Sequence, residues 1–225
     1  MMNGIDWNEF LSPIVLSLKV SVVSSLFVLL AGGLSAWGMS RRSFRGKTLL
    51  ETALLLPLVL PPTVVGFILL VLLGKKSWIG SLADTIFQHS IIFTWGAAVI
   101  ASVVVAFPLV YQTMKTGFAS VSPELQDAAR SMGAGEWQVW RLITLPLSWR
   151  SIVTAYILGF ARGLGEFGAT LMIAGNIPNK TQTLPTAIYT AVESGNRTLA
   201  WCWTGAIIAI SFIMLWAVTR KNREE

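Results

Sequence analysis

The chain has 225 residues, of which 54% are hydrophobic and only 12% are charged. Ordinary soluble domains carry about 25% charged residues, so this composition is typical of a membrane protein and argues against a soluble enzyme. The net charge of +6 does not indicate a nucleic-acid partner, because the cations cluster beside long apolar runs, as they do next to membrane lipid. One cysteine and one histidine provide no cluster for a metal site.

Five apolar runs are long enough to cross a bilayer, which requires roughly 20 residues. They predict an all-α integral membrane fold, a polytopic helix bundle of about five spans, in a single transmembrane domain over residues 1–225. In chain order the predicted spans are Leu11–Gly38, Leu49–Leu73, Ile91–Met114, Ile152–Ala174 and Leu199–Val218.

The distribution of Lys and Arg predicts how these spans are oriented. Eleven of the cations fall on one side of a five-span chain and four on the other, so the N-terminus is predicted outside and the C-terminus in the cytoplasm. Residues 115–150 then form a cytoplasmic loop. The eleven are Arg41, Arg42, Arg45, Lys47, Lys115, Arg130, Arg141, Arg150, Arg220, Lys221 and Arg223.

The second predicted span contains three prolines, Pro57, Pro61 and Pro62. Each proline removes a backbone donor and clashes with the preceding turn. Two interpretations remain open: a kinked helix, or a broken helix that lines a transport pathway. The density of prolines favours the broken helix and its pathway.

The cytoplasmic loop begins with a helix signal at Ser122, Pro123 and Glu124, which supply a capping hydroxyl, a proline at the first helical position and an acid near the helix N-terminus. Apolar residues then recur on one helical face. Their spacing predicts a short amphipathic helix with an exposed apolar face. The apolar residues are Leu125, Ala128, Ala129 and Met132.

A turn and a second short helix follow within the same loop. Gly133 and Gly135 allow a sharp turn. The segment "EWQVWRLI" predicts the second helix, and Pro146 is expected to end it. The predicted helix–turn–helix has a size that suits a groove on a partner protein.

The same residues carry a resemblance to the permeases of ABC importers. That family has the cytoplasmic signature E-A-A, three residues, G, nine residues, I-x-L-P. Here Asp127-Ala128-Ala129 is followed after three residues by Gly133, and after nine more by Ile143-Thr144-Leu145-Pro146. The one departure is Asp for Glu at the first position, which keeps the carboxylate and shortens it.

The resemblance implies that this short helix is a coupling helix, which docks in a cleft of a cytoplasmic ATPase subunit. Ala128 and Ala129 would permit close approach, Gly133 would make the turn, and Asp127 would pair with a cation on the ATPase or nearby. The sequence contains no G-x-x-x-x-G-K-[ST] phosphate loop, so the chain itself is expected to bind no cofactor. ATP and Mg are expected on the partner ATPase.

Three further stretches resemble the molybdate/sulfate permease group, and most of all its molybdate permeases: "LPLVLPPTVVGFILLVLLG", "ARGLGEFGAT" and "NIPNKTQTLPTAIYT". This resemblance covers essentially the whole chain. It implies a homodimer in the cell's inner membrane, two ATPase subunits, and an external binding protein that delivers molybdate or tungstate. Sulfate or another small oxyanion is the alternative substrate within the class.

The candidate pathway residues each have a structural alternative. Arg162 and Glu166 are four residues apart on one helix face, which favours a self-neutralising pair over direct contact with the substrate. Gly163, Gly165 and Gly168 favour close helix packing, with a gate at a dimer interface as the second interpretation. The full set of pathway or packing candidates is Pro61, Pro62, Arg162, Gly165, Glu166 and Gly168.

Two other function classes compete with the permease. A secondary carrier or channel would account for the prolines but would leave the cytoplasmic motif without a purpose. An intramembrane enzyme lacks a nucleophile and base, or metal ligands, within the predicted spans. The outer segment Asn176–Arg197 contains a predicted short amphipathic helix, "TAIYTAVESG", which serves either as a dock for the binding protein or as a connector.

Overall fold

A computed structural model describes residues 7–41 and 44–221. Within these ranges the chain is helical and contains no strand, which confirms the predicted all-α fold. The helices are α1 (Trp7–Arg41), α2 (Lys47–Val59), α3 (Pro62–Leu73), α4 (Trp78–Phe87), α5 (Trp95–Ala119), α6 (Pro123–Ser131), α7 (Glu136–Val139), a π-helical segment (Trp140–Thr144), α8 (Leu145–Leu147), α9 (Trp149–Leu164), α10 (Gly168–Ala174), α11 (Leu184–Glu193) and α12 (Arg197–Lys221).

The centre of the fold is a bundle of α1, α5 and α9, which pack extensively on one another. Val28, Val110 and Ala155, one from each of these helices, are fully buried in a shared apolar cluster. The α3–α10 pair packs against the other end of α5, where Val65 and Ile173 are buried. The bundle therefore holds both interrupted segments of the chain against one continuous helix, α5.

Among the described residues, three helices are long and apolar enough to cross a bilayer: α1 over Trp7–Ser40, α5, and α12 over Arg197–Trp216. Two further helix pairs reach this length only together. One is α2 with α3, bent by 114°, and the other is Glu136–Leu147 with α9, bent by 73°. The predicted number of about five spans thus corresponds to three continuous helices and up to two interrupted ones.

The second predicted span, Leu49–Leu73, is a broken helix. The last backbone bond of α2 runs from the Leu60 N–H to the Leu56 carbonyl at 3.2 Å, and α3 begins at Pro62. Pro61 and Pro62 have no N–H to continue the ladder, and the chain turns sharply between the two helices. Pro57, in contrast, lies inside α2 and does not end it.

The fourth predicted span, Ile152–Ala174, is wrong as a continuous helix. Helix α9 ends at Leu164 and α10 begins at Gly168. The Glu166 N–H bonds to the Gly163 carbonyl at 3.2 Å, three residues back, which closes a tight turn in place of the helical ladder. Apolar periodicity continues across this break, so the pattern alone did not reveal it.

The predicted amphipathic helix of the outer segment is confirmed as α11. It packs against α12 and α1, and the Leu184 N–H donates to the Ser17 hydroxyl at 2.7 Å. Helix α4 was not predicted, although the Ser77 hydroxyl caps it by accepting from the Ile79 N–H at 3.3 Å. The inside–outside orientation stays a prediction, and two of its cations, Arg42 and Arg223, lie outside the described residues.

Candidate functional site

The coupling segment, residues 122–148, forms the predicted helix–turn–helix. Helix α6 is followed by a turn at Gly133, whose φ of +89° is strongly disfavoured for residues with a side chain. The Ala134 N–H bonds back to the Ala129 carbonyl at 3.0 Å and closes the turn. A Cβ at Gly133 would meet none of the described atoms within 4 Å, so the glycine is required by backbone conformation alone.

Arg130 joins the two arms of this segment. Its Nη1 lies 2.6 Å from Asp127 Oδ1 on α6, and its Nε lies 2.7 Å from Glu136 Oε1 on α7. The hydrogen bonds to Glu136 and Asp127 raise the pKa of the Arg130 guanidinium above its usual value, so it stays charged. The predicted partner of Asp127 is thus found within the chain, three residues away.

The apolar face of α6 is only partly covered by the rest of the chain. Ala129 is buried, whereas Leu125 is 52% exposed and Met132 is 82% exposed. Ala128 is also exposed. A helix this short that leaves its large apolar side chains uncovered is typical of a surface that a partner protein covers.

Three tryptophans connect the coupling segment to α1. The ring centroids of Trp137 and Trp140 lie 4.8 Å apart, and those of Trp37 and Trp140 lie 5.3 Å apart. The Trp37–Trp137 separation is 6.0 Å. Sequence reasoning missed this cluster. The spacing of Trp137 and Trp140, three residues apart on one helix face, indicated that these two rings would meet, but it gave no sign of Trp37.

The end of the motif differs from its prediction. Pro146 does not end the second helix, because the chain passes through the π-helical segment and continues into α8. There the Leu145 N–H donates to the Trp140 carbonyl five residues back. This wider turn lets the helix continue although Pro146 has no N–H to donate. Ile143 and Leu145 are half-buried and Pro146 is exposed. The bend occurs at Ser148, whose hydroxyl donates to the Gly117 carbonyl at 3.1 Å.

The second set of candidates meets at the junction, where the start of α3 packs on α10. A Cβ at Gly168 would lie 3.1 Å from Pro62 Cβ, and a Cβ at Gly66 would lie 2.7 Å from Ala169 Cα. The glycines therefore allow the two helix breaks to touch. Pro62 and Gly168, which were predicted separately, are brought together here.

Glu166 holds the second break in place. Its side chain is 1% exposed, and its Oε2 lies 2.7 Å from Nη1 of Arg162, which is 32% exposed. Its Oε1 accepts a 2.9 Å hydrogen bond from the Ala169 N–H in the first turn of α10. The buried carboxylate thus pairs with a cation and satisfies a backbone donor that has no helical partner. This geometry is the predicted self-neutralising pair, with an added capping role.

The glycines of this region do not all serve packing. A Cβ at Gly163 would lie 2.9 Å from Ser24 Oγ, so α9 and α1 approach closely there. Gly165 is exposed, and its Cβ would meet only the Ala161 carbonyl at an ordinary 3.6 Å. The packing interpretation is therefore wrong for Gly165 within a single chain.

Two contacts around these sites were not anticipated. The Phe167 and Tyr189 ring centroids lie 5.3 Å apart, which joins the break after α9 to α11. Lys115 Nζ lies 2.7 Å from Glu51 Oε1 and ties α5 to α2. Glu51 stands out in the sequence as a single acid near the start of an apolar run, which indicates that it has a partner. Local spacing could not identify that partner, because Lys115 is distant in the chain.

Comparison with known proteins gives a consistent assignment. Residues 28–223 match the family described as "Binding-protein-dependent transport system inner membrane component". The putative molybdenum transport system permease protein YvgM of Bacillus subtilis (strain 168) is 57% identical over 98% of this chain and 97% of its own length. The molybdenum transport system permease protein ModB of Escherichia coli (strain K12) is 45% identical over 80% of this chain and 79% of its own.

A solved structure has a similar fold. The bacterial alginate ABC transporter, crystallised in complex with an alginate pentasaccharide-bound periplasmic protein, has a chain that superposes with a TM-score of 0.74. The match covers 96% of this chain and 77% of that one, at 19% sequence identity. At this identity the likeness shows a common fold and does not extend to the substrate.

Proposed function

Because the chain belongs to the binding-protein-dependent transport system inner membrane components, we propose that it is the permease subunit through which an ATP-driven importer passes molybdate. The observation that carries this proposal is the coupling segment. It combines a rigid turn with large apolar side chains that the chain itself leaves uncovered. Such a surface is suited to receive a partner, and its motif is the one by which ABC permeases bind their ATPase.

The substrate assignment rests on the relatives. The B. subtilis protein is matched over nearly its full length at 57% identity, and its name states molybdenum transport. Tungstate, a tetrahedral dianion of the same shape, is expected to follow the same path. We assign substrate selection mainly to an external binding protein, because a pathway must release the ion as readily as it accepts it.

The proposed assembly is a homodimer of this chain with two cytoplasmic ATPase subunits and one external binding protein. The junction supports a role beside the pathway, because two broken helices meet there and the buried Glu166 of the second break pairs with the partly exposed Arg162. Broken helices at membrane depth are tolerated where protein or a water-filled cavity surrounds them. Arg162 is neutralised by Glu166, so we assign it to holding the break and not to binding the anion.

The test is uptake of labelled molybdate into proteoliposomes that hold this chain, its ATPase and its binding protein, with ATP inside. Uptake that requires ATP and is inhibited by tungstate but not by sulfate is the expected result. ATP-dependent sulfate uptake would keep the permease and correct its substrate. Uptake driven by an ion gradient without any ATPase would contradict the proposal and favour a secondary carrier.

A further inference from the structure

An open cleft of about 450 Å³, lined mostly by residues with polar side chains, lies between the C-terminal half of α5 and the start of α9. Its α5 residues recur every three or four positions and so form one stripe along the helix. The lining contains one cation and no acid. It consists of Leu109, Gln112, Thr113, Thr116, Gly117 and Ser120 from α5, and Arg150, Ser151 and Thr154 from α9.

The two helices cross closely at this cleft. A Cβ at Gly117 would collide with the Ser151 side chain, so only glycine allows α9 to approach α5 here. At this crossing the cleft is therefore lined by the Gly117 backbone and the small Ser151 side chain. Three of its hydroxyls, those of Thr113, Ser120 and Thr154, donate to backbone carbonyls at 2.8–2.9 Å and are already satisfied.

The remaining polar groups are available to a ligand. Gln112, Thr116 and Ser151 have no side-chain hydrogen bond to any described residue, and the Arg150 guanidinium has neither a hydrogen bond nor an ion pair there. Lys115, the next cation along α5, differs because Glu51 neutralises it at 2.7 Å. Arg150 thus contributes an uncompensated positive charge beside three free hydrogen-bond donors.

The position of the cleft indicates what surrounds it. Gln112 and Thr116 are exposed on the single chain, yet they belong to the membrane-spanning helix α5. Gln112 lies about 10 Å along the helix from its C-terminal end. Polar groups at this depth are costly against lipid tails, so the cleft must face water or protein in the assembled transporter.

We propose that this cleft is the exit subsite of the pathway, where a tetrahedral dianion pauses before it enters the cytoplasm. Arg150 neutralises part of its charge, and Gln112, Thr116 and Ser151 donate hydrogen bonds to its oxygens. A single cation on an open face holds a dianion weakly, which suits release. A tetrahedral oxyanion fills only part of about 450 Å³, so several waters accompany it. This inference rests on the proposed function, because it requires an oxyanion as cargo.

The first experiment measures molybdate transported per ATP hydrolysed in the complete proteoliposome system. Arg150→Gln is expected to lower this ratio on the order of tenfold, the size of one lost hydrogen bond to a charged group. ATP hydrolysis stimulated by the loaded binding protein should stay unchanged. The matched control Arg220→Gln removes a cation from the end of α12, outside the cleft, and should leave the ratio unchanged.

Three outcomes would overturn the inference in different ways. An unchanged ratio in Arg150→Gln would remove the exit subsite while leaving the permease intact. A parallel loss of ATP hydrolysis would assign Arg150 to the ATPase contact instead. Failure of the wild-type complex to take up molybdate would instead contradict the proposed function itself, so the two failures are distinguishable.

The second experiment detects occupancy without transport. In a Cys202→Ser background, which removes the one native cysteine, Thr116→Cys is labelled by an anionic thiol reagent in nanodiscs of phosphatidylcholine. Tungstate should slow the labelling relative to chloride at equal ionic strength, and adding Arg150→Gln should abolish this protection. Thr52→Cys, an exposed position on α2 outside the cleft, is the control and should show no protection.

The same experiment separates a transported anion from a lipid phosphate. Nanodiscs that also contain phosphatidylglycerol test whether an anionic headgroup fills the cleft. Protection that follows the lipid composition and not tungstate would assign the cleft to lipid and contradict the inference. Equal labelling under all conditions would contradict it as well.

Discussion

The junction and the coupling segment differ in how much of each the chain itself covers. At the junction, Gly66 and Gly168 lie against backbone atoms of the facing helix, and Glu166 is almost fully buried. In the coupling segment, Gly133 faces no described atom and Met132 is 82% exposed. A substitution at the junction should therefore act on the fold of the chain, whereas one in the coupling segment should act on the contact with a partner.

The largest effect on stability is expected for Gly66→Leu. Its Cβ would lie 2.7 Å from Ala169 Cα, a backbone atom that cannot move aside without shifting α10. Overpacking of this kind costs about 3 kcal/mol in the free energy of unfolding. The thermal midpoint of the purified chain in detergent measures it. Gly205→Leu is the control, since a Cβ there meets none of the described atoms within 4 Å, and equal midpoints for both variants would contradict the close packing.

A smaller loss is expected for Glu166→Ala, which leaves Arg162 without its partner and the Ala169 N–H without an acceptor. Removing one member of a buried pair costs about 3 kcal/mol or more, but Arg162 is one-third exposed, so about 2 kcal/mol is expected. Glu166→Gln keeps the acceptor and should recover about 1 kcal/mol, the usual value of a cap. If Gln and Ala are equally unstable in the same detergent assay, the capping role is wrong.

Gly133→Val tests the coupling segment by its backbone alone. A β-branched residue at φ +89° costs about 1–3 kcal/mol, and the strain is confined to the turn. The chain should still fold, while molybdate uptake per ATP falls strongly or assembly with the ATPase fails. Gly133→Asn is the control, because asparagine tolerates this conformation and should retain most activity. Full coupling in the valine variant would mean that the segment is only a connector.

Asp127→Lys should change stability by less than about 1 kcal/mol, because the pair with Arg130 is exposed and Glu136 still holds the guanidinium. Its effect should instead appear in the ratio of uptake to ATP hydrolysis, since it reverses a charge on the predicted docking face. Asp127→Asn removes the charge without reversing it and should give an intermediate ratio. Wild-type coupling in both variants would separate Asp127 from the contact with the ATPase.

Gly165→Leu tests whether position or exposure decides the effect of a substitution, because Gly165 lies beside the junction but is exposed like the coupling segment. No loss of stability is expected, since its Cβ meets only the Ala161 carbonyl at 3.6 Å. Transport should nevertheless be abolished while the chain inserts normally, because a large side chain would occupy the proposed pathway or the proposed interface with a second copy of the chain. Normal uptake by this variant would remove Gly165 from both.

The sequence predicted one helix break and missed the other for a physical reason. Pro61 and Pro62 lack backbone donors, which is a local property visible in the letters themselves. The break at Gly165 depends on Glu166 reaching forward to cap α10. The Arg162–Glu166 spacing favoured a continuous helix, and the ion pair does form, even though α9 ends at Leu164.

The predicted cap at Ser122 is wrong, because its hydroxyl donates to the Glu124 carboxylate and accepts from no backbone N–H of the described residues. The rest of the coupling segment was predictable because its parts are local: a proline at the helix start, an apolar stripe and a glycine turn. Contacts between distant segments were not, as the approach of Trp37 to Trp140 and the pairing of Glu51 with Lys115 show. The polar stripe on α5 was visible in the sequence at helical spacing. Its meaning required the position of Arg150, which only the crossing of α5 and α9 supplies.

The double contact of Arg130 has a mechanical consequence. Because one guanidinium binds acids on both sides of the Gly133 turn, α6 and α7 cannot rotate independently while both bonds hold. We therefore expect the two helices to move together, with the contacts of Trp137 and Trp140 on Trp37 passing their displacement to α1. The chain bends at Ser148 and leaves α5 at Ser120, so we expect the segment to change its angle to the bundle at these two ends and not within its turn.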